Sequence, residues 1–372
     1  MKKSSLIPAG AAAGAIALVL AGCSSSSAGS EGGGQSEVTI SYASFVDAKN
    51  PHSLAFQEWA DQVTEATDGA VTFEPNYNGS LCAAGEIVSC VGAGTADMGF
   101  TSAAYEPSLL PITMLGTIGV VTNDAQAQAD AGTALYEESE ELQAEFEGQG
   151  IRLMFNTPAA PNVLASAEEV ADLDALDGST IRAAGEAAIA LEKLGVSPVN
   201  MAIAEVYESI ERGVISGIQT SIDGISSSRL FEVAPHIYDV GEYMGNGVLL
   251  HTVINQDVWD SLSPEAQDAM TAAADDVAGR FVADFARAGA ESDCTKIIEA
   301  GGTVQPIGPS EDGVAWAKAA QEDQIANWVE DASGAIDDPR ALFDRFVELV
   351  EERESGDDAF TPAGVCMEMQ GA

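Results

Sequence analysis

The sequence predicts an α/β protein with two domains built on largely parallel sheets. About 350 residues follow the N-terminal segment, which is more than one ordinary hydrophobic core accommodates. Hydrophobic residues make up 46% of the chain, which is enough to fill such cores. Strand-like and helical segments alternate along the chain, and this alternation is typical of α/β folds with parallel strands.

The alternation is clear in the first half of the chain. The segment that begins at Val38 alternates apolar and polar residues like a strand. In the next segment Leu54, Phe56, Trp59 and Val63 have the spacing of a helix face. The predicted elements of this half are a strand at 38–42, a helix at 53–67, a strand at 71–73, a helix at 85–93, a strand at 96–100, a helix at 124–147 and a strand at 151–156.

The second half predicts further strands and one long helix. Ser263 is suited to cap a helix and Pro264 to occupy its first position. This helix would run to residue 300 and, at 1.5 Å per residue, would be about 55 Å long, which is enough to brace both domains. The other predicted elements are strands at 181–184, 217–220 and 248–255 and helices at 314–329 and 340–353.

The N-terminus has the features of an export signal. Two lysines precede an apolar, alanine-rich run at 6–20 that is too short to cross a bilayer comfortably. The small residues before Cys23 resemble a bacterial lipobox, which implies a signal peptide at 1–22 and a lipid on Cys23; an ordinary signal peptide is the alternative. Residues 23–36, rich in Ser and Gly, predict a flexible tether. The mature protein is therefore predicted to be exported, soluble and lipid-anchored to the outer face of the cytoplasmic membrane.

Charge and cysteine content restrict the partners and the compartment. The net charge is −44, which disfavours nucleic acid and anionic lipid surfaces as partners. An acidic surface fits a saline habitat, and a simple composition bias explains it equally well. Besides Cys23 the chain has four cysteines, and an even number in an exported chain suggests two disulfides. Three pairings are possible, and sequence proximity favours Cys82–Cys90 with Cys294–Cys366.

Motifs of enzymes, cofactors and metals are missing from the sequence. It has no Gly-x-Ser-x-Gly elbow, no phosphate-binding Gly-rich loop and no HExxH motif. It also has no CxxC, and its histidines, His52, His236 and His251, are far apart. The sequence therefore predicts neither an enzyme nor a metal or cofactor site.

The most specific pattern lies in the middle of the chain. A strand-like run at 178–185 carries Arg182, and the turn Gly195-Val-Ser-Pro-Val-Asn-Met201 follows it. A helix beginning Glu205-Val-Tyr and a strand at Gly213-Val-Ile-Ser-Gly217 complete the segment. Arginine is scarce in this chain, and the guanidinium fork suits a carboxylate ligand.

This order of residues resembles the solute-binding proteins of TRAP transporters (tripartite ATP-independent periplasmic transporters). Matches at Pro51-His52, Asn78-Gly-Ser-Leu81 and Gly94-Thr-Ala-Asp-Met98 extend the resemblance over nearly all of residues 38–352. It implies a periplasmic-binding-protein-like fold of two lobes, with a mixed, mostly parallel sheet in each, a long helix spanning both and a ligand cleft between them. A membrane permease driven by an ion gradient would receive the ligand. The implied lobes are 37–156 with 247–290, and 157–246 with 291–372 and the C-terminal helices.

The resemblance also implies which residues bind the ligand. Arg182 matches the family arginine that pairs with a substrate carboxylate; a surface or interdomain ion pair is the alternative. Asn162 stands where a second arginine is frequent and Thr220 where an asparagine is common, so a monocarboxylate is favoured over a dicarboxylate. The other candidates lie at strand ends and in neighbouring loops, where α/β proteins bind ligands: Phe100, Ser102, Tyr105, Asn50, His52, Glu186 and Asp223.

Several alternatives stay open at this point. Phe100 also suits ordinary core packing, and His52 also suits a structural role at a helix N-terminus. A binding protein of the ABC transport type, or the ligand-sensing subunit of a receptor, would share many of these features. A small polar or zwitterionic solute is compatible with the same residues.

Overall fold

The computed structural model describes residues 37–119, 121, 122, 124–244, 248–307, 313–354 and 360–371. The predicted signal peptide at 1–22, the lipidation site Cys23 and the tether at 23–36 lie outside the described residues. Within that described part, no helix has both the length and the apolar character needed to cross a bilayer.

The described strands form two mixed sheets, one of five strands and one of six. They are β1 Val38–Ser44, β2 Val71–Asn76, β3 Met98–Thr101, β4 Ile151–Pro158, β5 Val163–Ser166, β6 Thr180–Arg182, β7 Ser197–Val199, β8 Gly217–Thr220, β9 His236–Asp239, β10 Leu249–Asn255 and β11 Thr303–Pro306.

Helices cover the faces and edges of these sheets. They are α1 Pro51–Ala66, α2 Ile87–Gly92, α3 Ala125–Glu138, α4 Glu140–Gly148, α5 Ala187–Glu192, α6 Val206–Glu211, α7 Ile222–Ser227, α8 Gly241–Met244, α9 Gln256–Ser261, α10 Pro264–Gly279, α11 Arg287–Glu299, α12 Gly313–Ala332, α13 Pro339–Glu351 and α14 Pro362–Gly371.

Each sheet contains one strand that runs against the others. The first sheet has the order β2-β1-β3-β10-β4, and β10 is antiparallel to both neighbours. The second has the order β11-β9-β5-β8-β6-β7, and β5 is antiparallel to both neighbours. The chain passes from the first sheet to the second between β4 and β5 and returns between β9 and β10. The predicted two-lobed α/β class with mostly parallel sheets is confirmed, and we call the sheets with their helices the first and second lobes.

Buried apolar faces hold the helices of the first lobe in place. Trp59 of α1 is fully buried, and its Nε1 donates to the carbonyl of Met270 in α10 at 3.1 Å. Phe56 stacks on Tyr42 of β1. Because aromatic side chains bury large areas, these contacts fix α1 against the sheet, and with it the loop that enters α1.

The predicted long helix is wrong as a continuous element. It ends at Gly279 and resumes through a π-helical turn at Val282–Ala286 before α11. The side chain of Gln126 in α3 satisfies backbone groups at the break, because it donates to Ala278 O at 2.8 Å and accepts from Val282 N at 3.1 Å. The two halves still contact both lobes, since α10 packs on α1 and α11 packs on α7 and α14.

A second predicted helix, 124–147, is also divided. Ser139 ends α3 with extended backbone, and its Oγ accepts from Leu142 N at 3.1 Å as the N-cap of α4. A serine in this position satisfies an otherwise unpaired amide of the new helix. The division lets α4 turn towards β4.

The C-terminal helices do not belong to the second lobe alone, as the implied limits had placed them. The apolar residues Phe343, Phe346 and Leu349 of α13 are buried in one cluster with Leu135 of α3, in the first lobe. Helix α12 contacts α5 and α8 of the second lobe as well as α13. The other limits of the lobes stay a prediction.

The four described cysteines pair as the sequence favoured. Cys82 joins Cys90 with their Cα atoms 6.4 Å apart, and Cys294 of α11 joins Cys366 of α14 with their Cα atoms 4.9 Å apart. Both separations lie within the usual range for disulfides. The second bridge joins α14 to α11.

Candidate ligand-binding site

A cavity of about 330 Å³ lies between the two sheets, at the strand ends and connecting loops of both lobes. Nine of the ten predicted ligand residues line it: Asn50, His52, Phe100, Ser102, Tyr105, Asn162, Arg182, Thr220 and Asp223. The cavity is therefore formed where the carboxyl ends of β1, β3, β6 and β8 meet the connection between β4 and β5, as expected for ligand sites in α/β proteins.

Arg182, the last residue of β6, is 4% exposed. Its Nε donates to the carbonyl of Met201 at 3.0 Å, and its Nη1 to the carbonyl of Gln219 at 3.4 Å. Among the described residues no carboxylate lies within ion-pair distance of it. A guanidinium has five N–H donors, so the two carbonyls orient the group and leave donors for a bidentate carboxylate in the cavity.

Three aromatic rings of the first lobe form one side of the cavity, which we call the aromatic wall: Phe45, Phe100 and Tyr105. Phe45 and Phe100 stack with ring centroids 5.3 Å apart, and Tyr105 meets Phe45 edge-on at 5.3 Å. Phe100 is buried and takes part in both the core and the cavity. The wall offers flat apolar surface to a ligand.

His52 lines the cavity and is also held by the protein. Its Nδ1 lies 2.9 Å from Thr157 Oγ1, and its ring stacks on Phe281 at 4.7 Å. Its backbone N–H donates to Asn50 Oδ1, which caps α1. Burial lowers the pKa of His52 to about 3, so this side chain is neutral at physiological pH. It therefore adds no positive charge to the site.

Two polar contacts join the lobes at the cavity. Asn50 Nδ2 in the loop after β1 donates to Asp223 Oδ2 of α7 at 3.4 Å. Asn200 Nδ2, after β7, donates to the carbonyl of Ala104 at 3.4 Å. Both distances are long for hydrogen bonds, so these contacts are weak.

Asn162 and Thr220, which stand where the family often has an arginine and an asparagine, also line the cavity. Asn162 is buried, and its Nδ2 donates to Met244 O at 3.5 Å. Thr220 is half-buried at the end of β8. Each provides a donor and an acceptor but no charge.

Glu186 is the one predicted ligand residue that does not line the cavity. Gly185 turns the chain at φ +61°, and Glu186 N donates to Thr117 Oγ1 at 3.2 Å. The Glu186 carboxylate instead accepts from Asn327 Nδ2 of α12 at 3.3 Å. Gly185 is a local sign of a turn, but the sequence did not show that the turn directs Glu186 to α12.

The buried position of Glu186 predicts a pH dependence. Burial raises the pKa of Glu186 from its ordinary value of 4.5 to about 7, Asn327 opposes this shift and Asp331 adds to it. The folded protein therefore binds more protons than the unfolded chain between these values, and stability falls as pH rises through this window. We expect Glu186→Gln to increase the free energy of unfolding above pH 7 by on the order of 2 kcal/mol.

Urea unfolding at several pH values measures this effect. The gain from Glu186→Gln is expected to vanish below pH 4.5, where the glutamate is protonated in both states. Glu192→Gln, an exposed change in α5, is the matched control and should show no such trend. A gain independent of pH would contradict the account of Glu186.

The family model of bacterial extracellular solute-binding protein family 7 matches residues 42–328, most of the chain. The chain belongs to this family. A relative, the 2,3-diketo-L-gulonate-binding periplasmic protein YiaO of Escherichia coli, is 26% identical to this chain over 61% of this chain and 69% of its own length.

Solved structures of TRAP solute-binding proteins share the fold. A TRAP solute-binding protein from Rhodoferax ferrireducens with copurified benzoate has a TM-score of 0.75 at 17% identity, covering 85% of this chain and 98% of that one. A marine metagenome TRAP solute-binding protein specific for pyroglutamate, from an unidentified microbe, has a TM-score of 0.70 at 20% identity, covering 85% and 99%. At these identities the likeness shows the two-lobed fold.

Several residues that line the cavity are not among the predicted ligand residues: Phe45, Asp47, Asn78, Tyr207, Gln219 and Ser221. Phe45 and Asp47 follow directly after β1, so the argument from strand ends that selected Phe100 would have found them. Gln219 lies inside the recognised strand at 217–220, next to Thr220. Tyr207 lies inside the Glu-Val-Tyr match and was treated as part of the fold.

Proposed function

We propose that this family member is the extracytoplasmic binding protein of a TRAP transporter and captures a small organic monocarboxylate between its lobes. The observation that supports this most is Arg182, a buried arginine that lines the cavity and has no acidic partner among the described residues. A buried guanidinium that is held by carbonyls alone is well placed to pair with the carboxylate of a ligand.

The charges around the cavity favour one carboxylate over two. Arg182 is the only arginine or lysine among the described residues that line the cavity. A second ligand carboxylate would find only the uncharged groups of Asn162 and Thr220, and it would stay unpaired in a desolvated site. A monocarboxylate with hydroxyl, amide or apolar groups fits these partners.

The protein also has to deliver the ligand to a permease and to stay attached to the membrane. The lobes close around the ligand, and the closed form passes it to a TRAP permease in the membrane. Cys23, after the small residues of the N-terminal segment, carries the lipid that keeps the protein at the outer face of the cytoplasmic membrane. The family is one of solute-binding proteins, and we propose that this chain is likewise a receptor without catalytic activity.

A thermal-shift screen over monocarboxylates, dicarboxylates, hydroxy acids and amino acids tests the proposed function. A ligand that binds only the folded protein adds about 2.7 kcal/mol at 100 times its Kd, so the melting temperature should rise by several degrees. Because the protein is highly acidic, the screen is run at moderate and high salt. Failure of every carboxylate to raise the melting temperature would contradict the proposal.

A further inference from the structure

The cavity is lined by acidic side chains that a receptor for a simple carboxylate would not need. Besides Arg182, the charged side chains among its described lining residues are Asp47 and Asp223. His52 is neutral there. The lining therefore carries one positive and two negative groups, and a ligand with only negative charge would be attracted by Arg182 and repelled by both aspartates.

Neither aspartate has a cationic partner among the residues that the structure describes. Asp47 Oδ1 accepts from the backbone N–H of Lys49 at 2.7 Å, and Asp223 Oδ2 accepts from Asn50 at 3.4 Å. Among the described residues neither forms an ion pair. Lys296 of α11 is paired with Asp293 at 2.9 Å. Both aspartates are half-buried, so water only partly screens them.

The two aspartates and the aromatic wall belong to one region of the cavity. Phe45, Asp47 and Asn50 lie within six residues of one loop, and Asn50 connects this loop to Asp223. Phe45 also holds Phe100 and Tyr105 in the wall. Ring faces attract cationic nitrogen through their quadrupole, and nearby carboxylates strengthen that attraction. Arg182 and Asp223 belong to the second lobe, whereas Asp47 and the aromatic wall belong to the first, so the cavity between them combines one guanidinium with two carboxylates and a cation-attracting wall.

We propose that the ligand is a zwitterion, with its carboxylate on Arg182 and its cationic nitrogen beside Asp47, Asp223 and the aromatic wall. This inference rests on the proposed function and specifies its substrate class. The size of the cavity, about 330 Å³, suits a small amino acid or a methylated ammonium carboxylate.

Calorimetry with matched pairs of probes tests the inference. Glycine betaine is paired with 3,3-dimethylbutanoate, and L-proline with cyclopentanecarboxylate; the members of each pair have nearly the same shape and differ in the cationic nitrogen. We expect the zwitterion of at least one pair to bind at least about tenfold more tightly than its partner. Equal or tighter binding of the nitrogen-free carboxylate in both pairs would overturn the inference.

A substitution of Asp223 distinguishes recognition of the ligand's cation from a purely structural role of this residue. Asp223→Asn is expected to weaken zwitterion binding about tenfold, and it should not weaken binding of the analogue, because it removes a charge that repels a purely anionic ligand. Asp61→Asn, at an exposed position of α1, is the control of equal charge. An equal loss for both members of a pair would overturn the inference, because it would mean that Asp223 only joins the lobes.

The same data distinguish the inference from the proposed function. Binding of carboxylates that depends on Arg182, with no preference for zwitterions or no binding of either pair, would overturn the inference alone. Absence of binding by every carboxylate and zwitterion tested would overturn both.

Discussion

Arg182→Ala is expected to weaken carboxylate binding at least about 100-fold, because truncating one partner of a desolvated charge pair costs several kcal/mol. The variant should stay folded. It removes two hydrogen bonds to the backbone carbonyls of Met201 and Gln219, and water can enter the cavity, which Gln219 lines, in place of the lost side chain. Titration calorimetry measures the affinity, and the circular dichroism melting curve measures the fold.

Two further variants test whether the loss of affinity is specific to the guanidinium of Arg182. Arg182→Lys keeps the charge but loses the planar fork, so we expect an affinity between those of the original protein and the alanine variant. Arg212→Ala removes an exposed arginine that pairs with Glu208 on the surface of α6, and it should leave affinity unchanged. Unchanged affinity in Arg182→Ala would refute the assignment of the anchor.

Gly185→Ala is expected to lower the free energy of unfolding by about 3 kcal/mol. Gly185 has φ +61°, a conformation that strains an alanine. An added Cβ would also lie 2.7 Å from Thr117 Cβ and 2.8 Å from its Oγ1. Thr117 ends a short turn packed against the first lobe, whereas Gly185 follows β6 of the second lobe. The substitution should therefore separate the lobes locally and move Arg182, three residues earlier.

Gly178→Ala is the matched control for that clash. Gly178 has φ +76° but no atom within 4 Å of an added Cβ, so it carries the conformational cost alone. We expect it to lose about 1 kcal/mol of stability and to keep ligand affinity. Equal destabilisation by the two changes, measured by urea unfolding, would show that the contact between Gly185 and Thr117 does not constrain the lobes.

Much of the fold could be predicted because local patterns and tertiary packing agree. The apolar spacing in α1 identified Phe56, Trp59 and Val63 on the face that packs on β1 and α10, but wrongly included Leu54, which is 42% exposed; Ser263 with Pro264 marked the start of α10. For the candidate site, the family resemblance supplied Arg182, Asn162 and Thr220, and strand ends with their neighbouring loops supplied the others; nine of the ten candidates line one cavity.

The errors have tertiary causes that no local pattern contains. The break after α10 is stabilised by Gln126, a residue about 150 positions away in the chain. Glu186 points to α12 because Gly185 turns the backbone against Thr117. Strands β7, β9 and β11 span three or four residues, too few to show a period.

A crystal structure with the best ligand of the thermal-shift screen tests the central claim most directly. We predict that the ligand occupies the cavity between the sheets, with a carboxylate oxygen within hydrogen-bond distance, about 3 Å, of the Arg182 guanidinium. A ligand bound elsewhere, or one in the cavity whose carboxylate lies away from Arg182, would contradict the account.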